Sequence, residues 1–294
     1  MSYPKPFEYV APQTPAEAYE VLARLGDKAK ILAGGTDLII LMKDKIVSPE
    51  YVVDITNIKE FEGIKYEPGK GMEIGATTKN SEIQFSEIVQ EKYPALAYAC
   101  GEIGSSAVRN MGTIGGNSCN ASPSAETPGP LIAYGATVVI GSASGERELP
   151  LEDFILGVRN IDLQPGEILT KFKLPEPSPK MVAKYAYMGA RDANEIDCVN
   201  MAVAMELEDD KQTIKSVKLI LGSVFIKPLV STRVPDLLTG QKLTDELVQA
   251  AAEAAQAEAK PISDVRASAE YRTEIVGALA RRLLKEAYAA AQEV

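Results

Sequence analysis

The sequence contains no histidine in its 294 residues. This absence excludes the Ser-His-Asp triad, the Cys-His pair and the H-E-x-x-H zinc site, and it removes the side chain that most often moves protons near neutral pH. Three cysteines are present, Cys100, Cys119 and Cys198, far apart and with none in a C-x-x-C pair. They predict neither a disulfide framework nor a zinc or iron–sulfur site. We therefore expect no catalytic side chain and no metal site, and we expect any chemistry to belong to a bound cofactor.

Basic residues are scarce relative to acidic ones. Lys plus Arg total 31 against 41 for Asp plus Glu, a formal net charge of −10. Nucleic-acid binding needs a basic face, so the charge argues against such a partner. No apolar run approaches the length of a membrane span, and the first six residues lack the apolar core of a signal peptide. These features predict a cytoplasmic chain that neither binds nucleic acid nor spans a membrane.

Two familiar nucleotide-binding signatures are also missing, because neither G-x-x-x-x-G-K-[ST] nor G-x-G-x-x-G occurs. In their place are two segments with adjacent glycines, 31–38 (ILAGGTDL) and 113–117 (TIGGN). We interpret each as a loop after a strand, where glycine lets backbone N–H groups come close to a ligand. A single Gly-Gly pair is most often only a turn. The two segments together favour a site in which they bind one phosphate-containing ligand from two sides.

The flanking patterns predict an α+β fold. A helix begins after Thr14 and ends at Gly26, a strand covers 30–33, a helix 37–45 and a strand 51–55. A hairpin over 64–76, helices over 80–91, 94–103 and 131–134, and strands over 137–140, 146–149 and 167–174 follow. Three antiparallel strands over 182–191, 199–207 and 213–223 precede helices over 235–238, 245–259 and 269–292. The prolines near 177 predict a boundary, so we divide the chain into 1–56, 57–177 and 178–294.

Three further residues have two interpretations each. Glu126 follows the second glycine segment and suits either a ribose hydroxyl or an ordinary helix N-terminus. Tyr187 shares one strand face with Tyr185 and suits either stacking on a ring ligand or half-burial on a sheet. Arg109 is the cation nearest the second segment, and its ordinary interpretation is a surface salt bridge.

The paired segments resemble the two FAD-pyrophosphate loops of the FAD-binding (medium) subunit of the molybdenum hydroxylases, the xanthine, carbon monoxide and nicotinate dehydrogenase family. The resemblance covers essentially the whole chain, and Glu270-Tyr271-Arg272 opens the last helix as in that family's C-terminal domain. It implies the FAD-binding fold of vanillyl-alcohol oxidase and UDP-N-acetylenolpyruvylglucosamine reductase. In that fold, two α/β subdomains hold FAD and a C-terminal antiparallel sheet-and-helix domain covers it.

The resemblance also implies a set of cofactor-binding residues. The pyrophosphate would be lined by Ile31, Leu32, Ala33, Gly34, Gly35, Thr36, Asp37 and Leu38 and by Thr113, Ile114, Gly115, Gly116 and Asn117, with Asn120 beside them. Glu126 falls on the adenosine side. Ile103 falls at an apolar or aromatic position near the cofactor, and Ile168, Leu169 and Tyr187 fall near the flavin ring. The scattered cysteines supply no extra iron–sulfur cluster, so FAD is expected to be the only redox centre here.

The resemblance implies an electron-transfer subunit. Its partners would be a large molybdopterin subunit and a small [2Fe–2S] subunit, in a dimer of heterotrimers, and its FAD would pass electrons to NAD(P)+ or a quinone. Two alternatives stay open at this point. One is a stand-alone flavin oxidoreductase of the same fold, and the other is a non-catalytic nucleotide-binding subunit.

Overall fold

A computed structural model describes residues 4–191 and 194–294. Its first unit is a parallel sheet in the order β1-β3-β2, from β1 (Glu8–Val10), β2 (Ala29–Leu32) and β3 (Tyr51–Asp54). Helix α1 (Pro15–Leu25) precedes β2, and helix α2 (Leu38–Lys43) connects β2 to β3. Thr14 caps α1 by accepting from the Glu17 N–H at 3.3 Å, as predicted. The sequence did not reveal β1, because it is short and mostly exposed.

The second unit is a five-stranded antiparallel sheet in the order β4-β5-β10-β6-β7. The five strands of this sheet are β4 (Ile64–Glu67), β5 (Gly71–Gly75), β6 (Thr137–Ser142), β7 (Gly145–Pro150) and β10 (Ile168–Pro175). A separate small hairpin, β8 (Ile155–Gly157) and β9 (Asn160–Ile161), precedes β10 in the chain. Its helices are α3 (Asn80–Phe85), α4 (Glu87–Lys92), α5 (Pro94–Glu102), α6 (Ser106–Arg109), α7 (Ile114–Asn120), α8 (Pro128–Ala133) and α9 (Leu151–Phe154).

The prediction of one helix over 80–91 was wrong. Ser86 has φ −70° and ψ 115°, an extended backbone that ends α3 and begins α4. The break lets each short helix bury its own apolar residue, Ile83 in α3 and Val89 in α4, both fully buried. Neither Asn80 nor Ser81 caps α3, since the N-cap is Lys79 without a side-chain hydrogen bond.

The third unit is an antiparallel sheet of β11 (Met181–Met188), β12 (Val199–Leu207), β13 (Ile214–Gly222) and β14 (Leu229–Val230). Helices α10 (Arg233–Leu238), α11 (Asp245–Glu258) and α12 (Ala269–Glu293) follow. The predicted strand over 182–191 ends earlier than expected, at Met188, because the Ala190 and Arg191 N–H groups both donate to Glu195 Oε2 at 2.8 Å instead of continuing the sheet.

The two faces of this third sheet pack on different partners. Met201 and Leu219 face α11 and α12, whereas Ala202 and Ile220 join the core of the second unit. The hydrophobic core is therefore continuous across residue 177, and the division of the chain at 56 and 177 stays a prediction. In the described part of the chain, no helix has both the length and the apolarity to cross a membrane.

Candidate functional site

A cavity of about 750 Å³ lies between the first and second units and reaches the third. Its volume is within the range of cofactor sites. All but three of the predicted site residues line it. Those lining it are Ile31, Ala33, Gly34, Gly35, Thr36, Asp37, Leu38, Ile103, Thr113, Gly115, Gly116, Asn117, Asn120, Glu126, Ile168 and Leu169. The two glycine segments, 80 residues apart in sequence, thus face one space.

The first glycine segment is a loop with free hydrogen-bond donors. Within the described residues, the backbone N–H groups of 34–38 donate to no protein acceptor. Gly35 has φ +72°, the left-handed region that glycine enters without steric cost, and a turn of this kind can bring successive N–H groups close to an anion. Five adjacent unpaired donors at a cavity wall make an anion-binding surface.

The second glycine segment is not a loop, contrary to the sequence prediction. Thr113 is the N-cap of α7, and its hydroxyl accepts from the Gly116 N–H at 3.1 Å. The Ile114 and Gly115 N–H groups donate to the Thr78 and Ala76 carbonyls at 3.1 and 2.9 Å. These N–H groups therefore already donate to protein acceptors, and this segment offers a ligand side chains rather than free backbone N–H groups. The segment also follows α6 and a turn, not the strand that we expected.

Gly34 and Gly115 are each packed tightly against the backbone of a neighbouring segment. A Cβ on Gly34 would stand 2.1 Å from the Met111 carbonyl oxygen, and one on Gly115 would stand 2.6 Å from the Ala76 carbonyl oxygen. A Cβ on Gly116 would stand 2.9 Å from the Thr113 hydroxyl. Most of these glycines are required by protein packing, so their effect on a ligand is to hold the walls of the cavity together.

The α7 side chains connect to a buried acid. The Asn117 amide nitrogen donates to Glu126 Oε2 at 3.4 Å, and its oxygen accepts from the Thr127 hydroxyl at 2.6 Å. Glu126 is 9% exposed, and burial raises the pKa of its carboxyl to about 7, although the Asn117 hydrogen bond opposes the shift. Glu126 is thus a cavity-lining acid that titrates near neutral pH.

A hydrogen bond between Asp37 and Asn120 joins the first glycine segment to α7. The Asn120 amide nitrogen donates to Asp37 Oδ1 at 3.1 Å. Burial raises the pKa of Asp37, and the charge of Arg159 opposes that shift. Ser118 of α7 is fully buried, and its Oγ has no partner among the described residues.

Three predicted residues lie away from the cavity wall. Ile114 is fully buried in the core beneath α7, and the Leu32 side chain lies against Gly35. The Tyr187 hydroxyl donates to Glu102 Oε2 at 2.5 Å, and its ring stacks on Tyr185 at a centroid distance of 6.4 Å. The stacking confirms that the two tyrosines share a strand face, whereas a contact of Tyr187 with a ring ligand stays a prediction.

Arg109 has a structural environment that the sequence did not indicate. Its guanidinium donates to the carbonyls of Ile103 and Gly104 and to Gln84 Oε1, each at 3.1 Å. It makes no ion pair among the described residues, so the surface salt bridge was wrong. Instead it fixes the turn that carries Ile103 into the cavity.

Several lining residues were missed by sequence reasoning. The hairpin β8–β9 contributes Arg159 and Ile161, and the loop after β11 contributes Glu195 and Ile196. No local pattern marks them, because tertiary packing brings them to the cavity. Cys119 also lines it, and burial raises the pKa of its thiol to about 12, so that it stays an unreactive thiol. No cluster of metal-ligating side chains occurs within 4–191 and 194–294.

Comparisons with known proteins agree on one family. Residues 5–177 match the family described as FAD binding domain in molybdopterin dehydrogenase, and residues 183–287 match the CO dehydrogenase flavoprotein C-terminal domain. The chain is 35% identical to the glyceraldehyde dehydrogenase medium chain of Sulfolobus acidocaldarius, over 97% of this chain and 99% of that one. It is 31% identical to the xanthine dehydrogenase FAD-binding subunit of Escherichia coli O157:H7, over 95% and 94%.

A solved structure extends the likeness to the whole fold. Carbon monoxide dehydrogenase from Hydrogenophaga pseudoflava, in a form lacking the Mo-pyranopterin moiety, superposes with a TM-score of 0.94 at 33% identity, over 98% of this chain and 99% of that one. Quinoline 2-oxidoreductase from Pseudomonas putida superposes with a TM-score of 0.92 at 28% identity, over 99% of both chains. The α+β fold with an FAD-binding part and a C-terminal sheet-and-helix part is thereby confirmed.

Proposed function

This chain belongs to the FAD-binding subunits of the molybdenum hydroxylase family, and we propose that it passes electrons from the [2Fe–2S] clusters of a partner subunit, through its FAD, to an external acceptor such as NAD(P)+ or a quinone. The chain is thus a flavoprotein oxidoreductase subunit. The observation that carries the proposal is the shared cavity, with α7 on one wall and, on the other, five N–H groups that have no acceptor in the described part of the chain.

The residues at the cavity fit FAD. Residues 34–38 present converging N–H donors for a pyrophosphate, and Gly116 leaves room on the α7 side. Glu126 is an acceptor for a ribose hydroxyl. Ile103, Ile168 and Leu169 give apolar walls suited to a flavin ring.

When bound, FAD supplies redox chemistry that links one-electron donors to two-electron acceptors. The chain's own residues bind it, orient it and limit water around it. Thr113 fixes the start of α7, and Arg109 fixes the turn before α6, so both walls are held by hydrogen bonds. No side chain here needs to act as a catalytic acid or base, which agrees with the lack of histidine.

The names of the relatives support the proposed partners. Three of the relatives are medium chains of dehydrogenases, and the solved structures include a Cu,Mo-CO dehydrogenase. We therefore assign this chain a large molybdopterin subunit and a small [2Fe–2S] subunit as partners, in a dimer of heterotrimers. The substrate would be selected by the molybdopterin subunit.

Purification of the tagged chain from its native cells tests this assembly. We expect it to retain two further chains, one containing molybdopterin and one giving the electron paramagnetic resonance signals of [2Fe–2S] clusters. A chain that purifies alone with FAD and oxidises a small substrate by itself would instead support a stand-alone flavin oxidoreductase.

A further inference from the structure

The tip of the hairpin β8–β9 is fixed against the end of α7. Gly157 pairs with Asn160, so Val158 and Arg159 form the two-residue turn. The Arg159 N–H donates to the Ala121 carbonyl at 3.1 Å, and Ala121, with φ +46°, ends α7. This bond places Arg159 at the cavity wall beside the helix that carries Asn117 and Asn120.

Arg159 has an unfavourable backbone conformation. Its φ is +53°, in the left-handed region where a Cβ is crowded and where turns normally have glycine or asparagine. An asparagine is available one position later, at Asn160, yet the arginine occupies the strained position. Strained backbone of this kind is concentrated at ligand sites, where the surrounding structure holds it in place.

Acidic side chains outnumber basic ones among the described residues that line the cavity. Asp37, Glu126 and Glu195 all line it, and Asp37 directly follows the free N–H groups of Gly34, Gly35 and Thr36. An incoming pyrophosphate would therefore meet negative charge. Among the described lining residues the cations are Lys30 and Arg159. Lys30 lies on β2, four residues and roughly 13 Å of extended chain before Gly34, whereas the charge of Arg159 acts on Asp37 itself.

We propose that Arg159 is the cationic residue that binds the pyrophosphate of FAD opposite residues 34–38, at the cost of a strained turn. This rests on the proposed function in that the ligand is FAD. A guanidinium suits the role because it presents several donors in a plane and stays charged at all relevant pH values. It complements the uncharged donors, which alone do not offset the nearby acids.

The test is FAD titration of the full apo chain and of Arg159→Asn, followed by flavin fluorescence. We expect the variant's Kd to be about tenfold weaker, equivalent to about 1.4 kcal/mol. We also expect its apoprotein Tm to be equal or higher, since asparagine tolerates positive φ. Added salt should weaken binding to the parent chain more than binding to the variant.

Lys211→Asn is the matched control. Lys211 has φ +55° in the exposed turn between β12 and β13, away from the cavity. The substitution removes one positive charge and one strained backbone, as at Arg159, and should leave the FAD Kd unchanged. An equal loss in both variants would overturn the proposal, because net charge alone would then explain it.

Two further outcomes separate this proposal from its premise. If the parent chain binds FAD and Arg159→Asn binds it equally well, Arg159 has no role at the pyrophosphate while the proposed function stands. If that variant keeps its FAD affinity but binds NADH more weakly when loaded with FAD, the guanidinium serves the phosphates of the external nucleotide, which also overturns the proposal. If the parent chain binds no FAD, the premise itself fails.

Discussion

Gly34 lies so close to Met111 that a Cβ on it would stand 2.1 Å from the Met111 carbonyl oxygen. This contact joins the loop 34–38 of the first unit to the turn before α7 in the second, and the Asn120–Asp37 hydrogen bond adds a second link between the two units. The obstructing atom belongs to the backbone rather than to the end of a flexible side chain, so a substituent at Gly34 must push the loop 34–38 away from the turn that contains Met111. We therefore expect cofactor binding and the cohesion of the two units to depend on the same glycine.

Gly34→Ala should lower the free energy of unfolding by about 1–3 kcal/mol, the usual cost of overpacking, and should weaken FAD binding because the N–H groups shift away from α7. Urea unfolding and FAD titration measure the two effects. Gly129→Ala is the matched control, since its Cβ would make an ordinary contact at 3.5 Å with Ala202. Unchanged stability and FAD affinity in Gly34→Ala would show that Gly34 and Met111 are not packed as described.

Thr113→Ala should cost about 1 kcal/mol of stability, the usual price of losing a helix N-cap. It should also weaken FAD binding, because Gly116 and Asn117 begin the helix that forms the cavity wall. Thr113→Ser keeps the capping hydroxyl and should retain nearly all of both properties. Denaturant titration and FAD fluorescence distinguish the two variants, and equal losses in both would assign the effect to the missing methyl group.

The stability of the apoprotein should fall as pH rises from about 4.5 to 7. Burial raises the pKa of Glu126 from 4.5 to about 7, so between these values the folded state binds more protons than the unfolded state. At about 1.36 kcal/mol per pKa unit, the shift costs about 3 kcal/mol at pH 8. Glu126→Gln should recover much of this at pH 8. Urea unfolding across the pH range checks it, and a parallel pH profile in the variant would contradict it.

FAD affinity should respond to pH in the opposite sense. A ribose hydroxyl that donates to Glu126 favours the ionised carboxylate, so binding releases a proton and tightens as pH rises through about 7. The Kd should improve by about tenfold between pH 6 and 8. Glu126→Gln should give a nearly flat profile. An affinity that weakens with pH would instead show that Glu126 stays protonated beside FAD.

The sequence predicted most of the fold where local signals agree. Thr14 with Pro15 and Glu17 marked α1, and the run over 199–207 marked the central strand of the third sheet. It failed at α7, because adjacent glycines are poor helix formers and hide the Thr113 cap. Arg159 could not be found, since neither its positive φ nor its approach to Ala121 is encoded in a local pattern.

The sequence therefore predicted two segments that the structure brings to one cavity, but it assigned the wrong donors to the second segment. Gly34 and Gly35 belong to a loop with unpaired N–H groups, as the Gly-Gly pattern indicated. Gly115 and Gly116 belong to a capped helix, where the same pattern has a different physical role. Only the hydrogen-bond partners, Ala76, Thr78 and Thr113, distinguish the two cases.

The most direct measurement of the electron-transfer role mixes the FAD-loaded chain anaerobically with its reduced [2Fe–2S] partner and follows both chromophores. The account predicts that the flavin absorbance bleaches as the clusters reoxidise, and that the apo chain leaves the clusters reduced. A chain with full FAD occupancy, bound to its partner, whose flavin stays oxidised would contradict it.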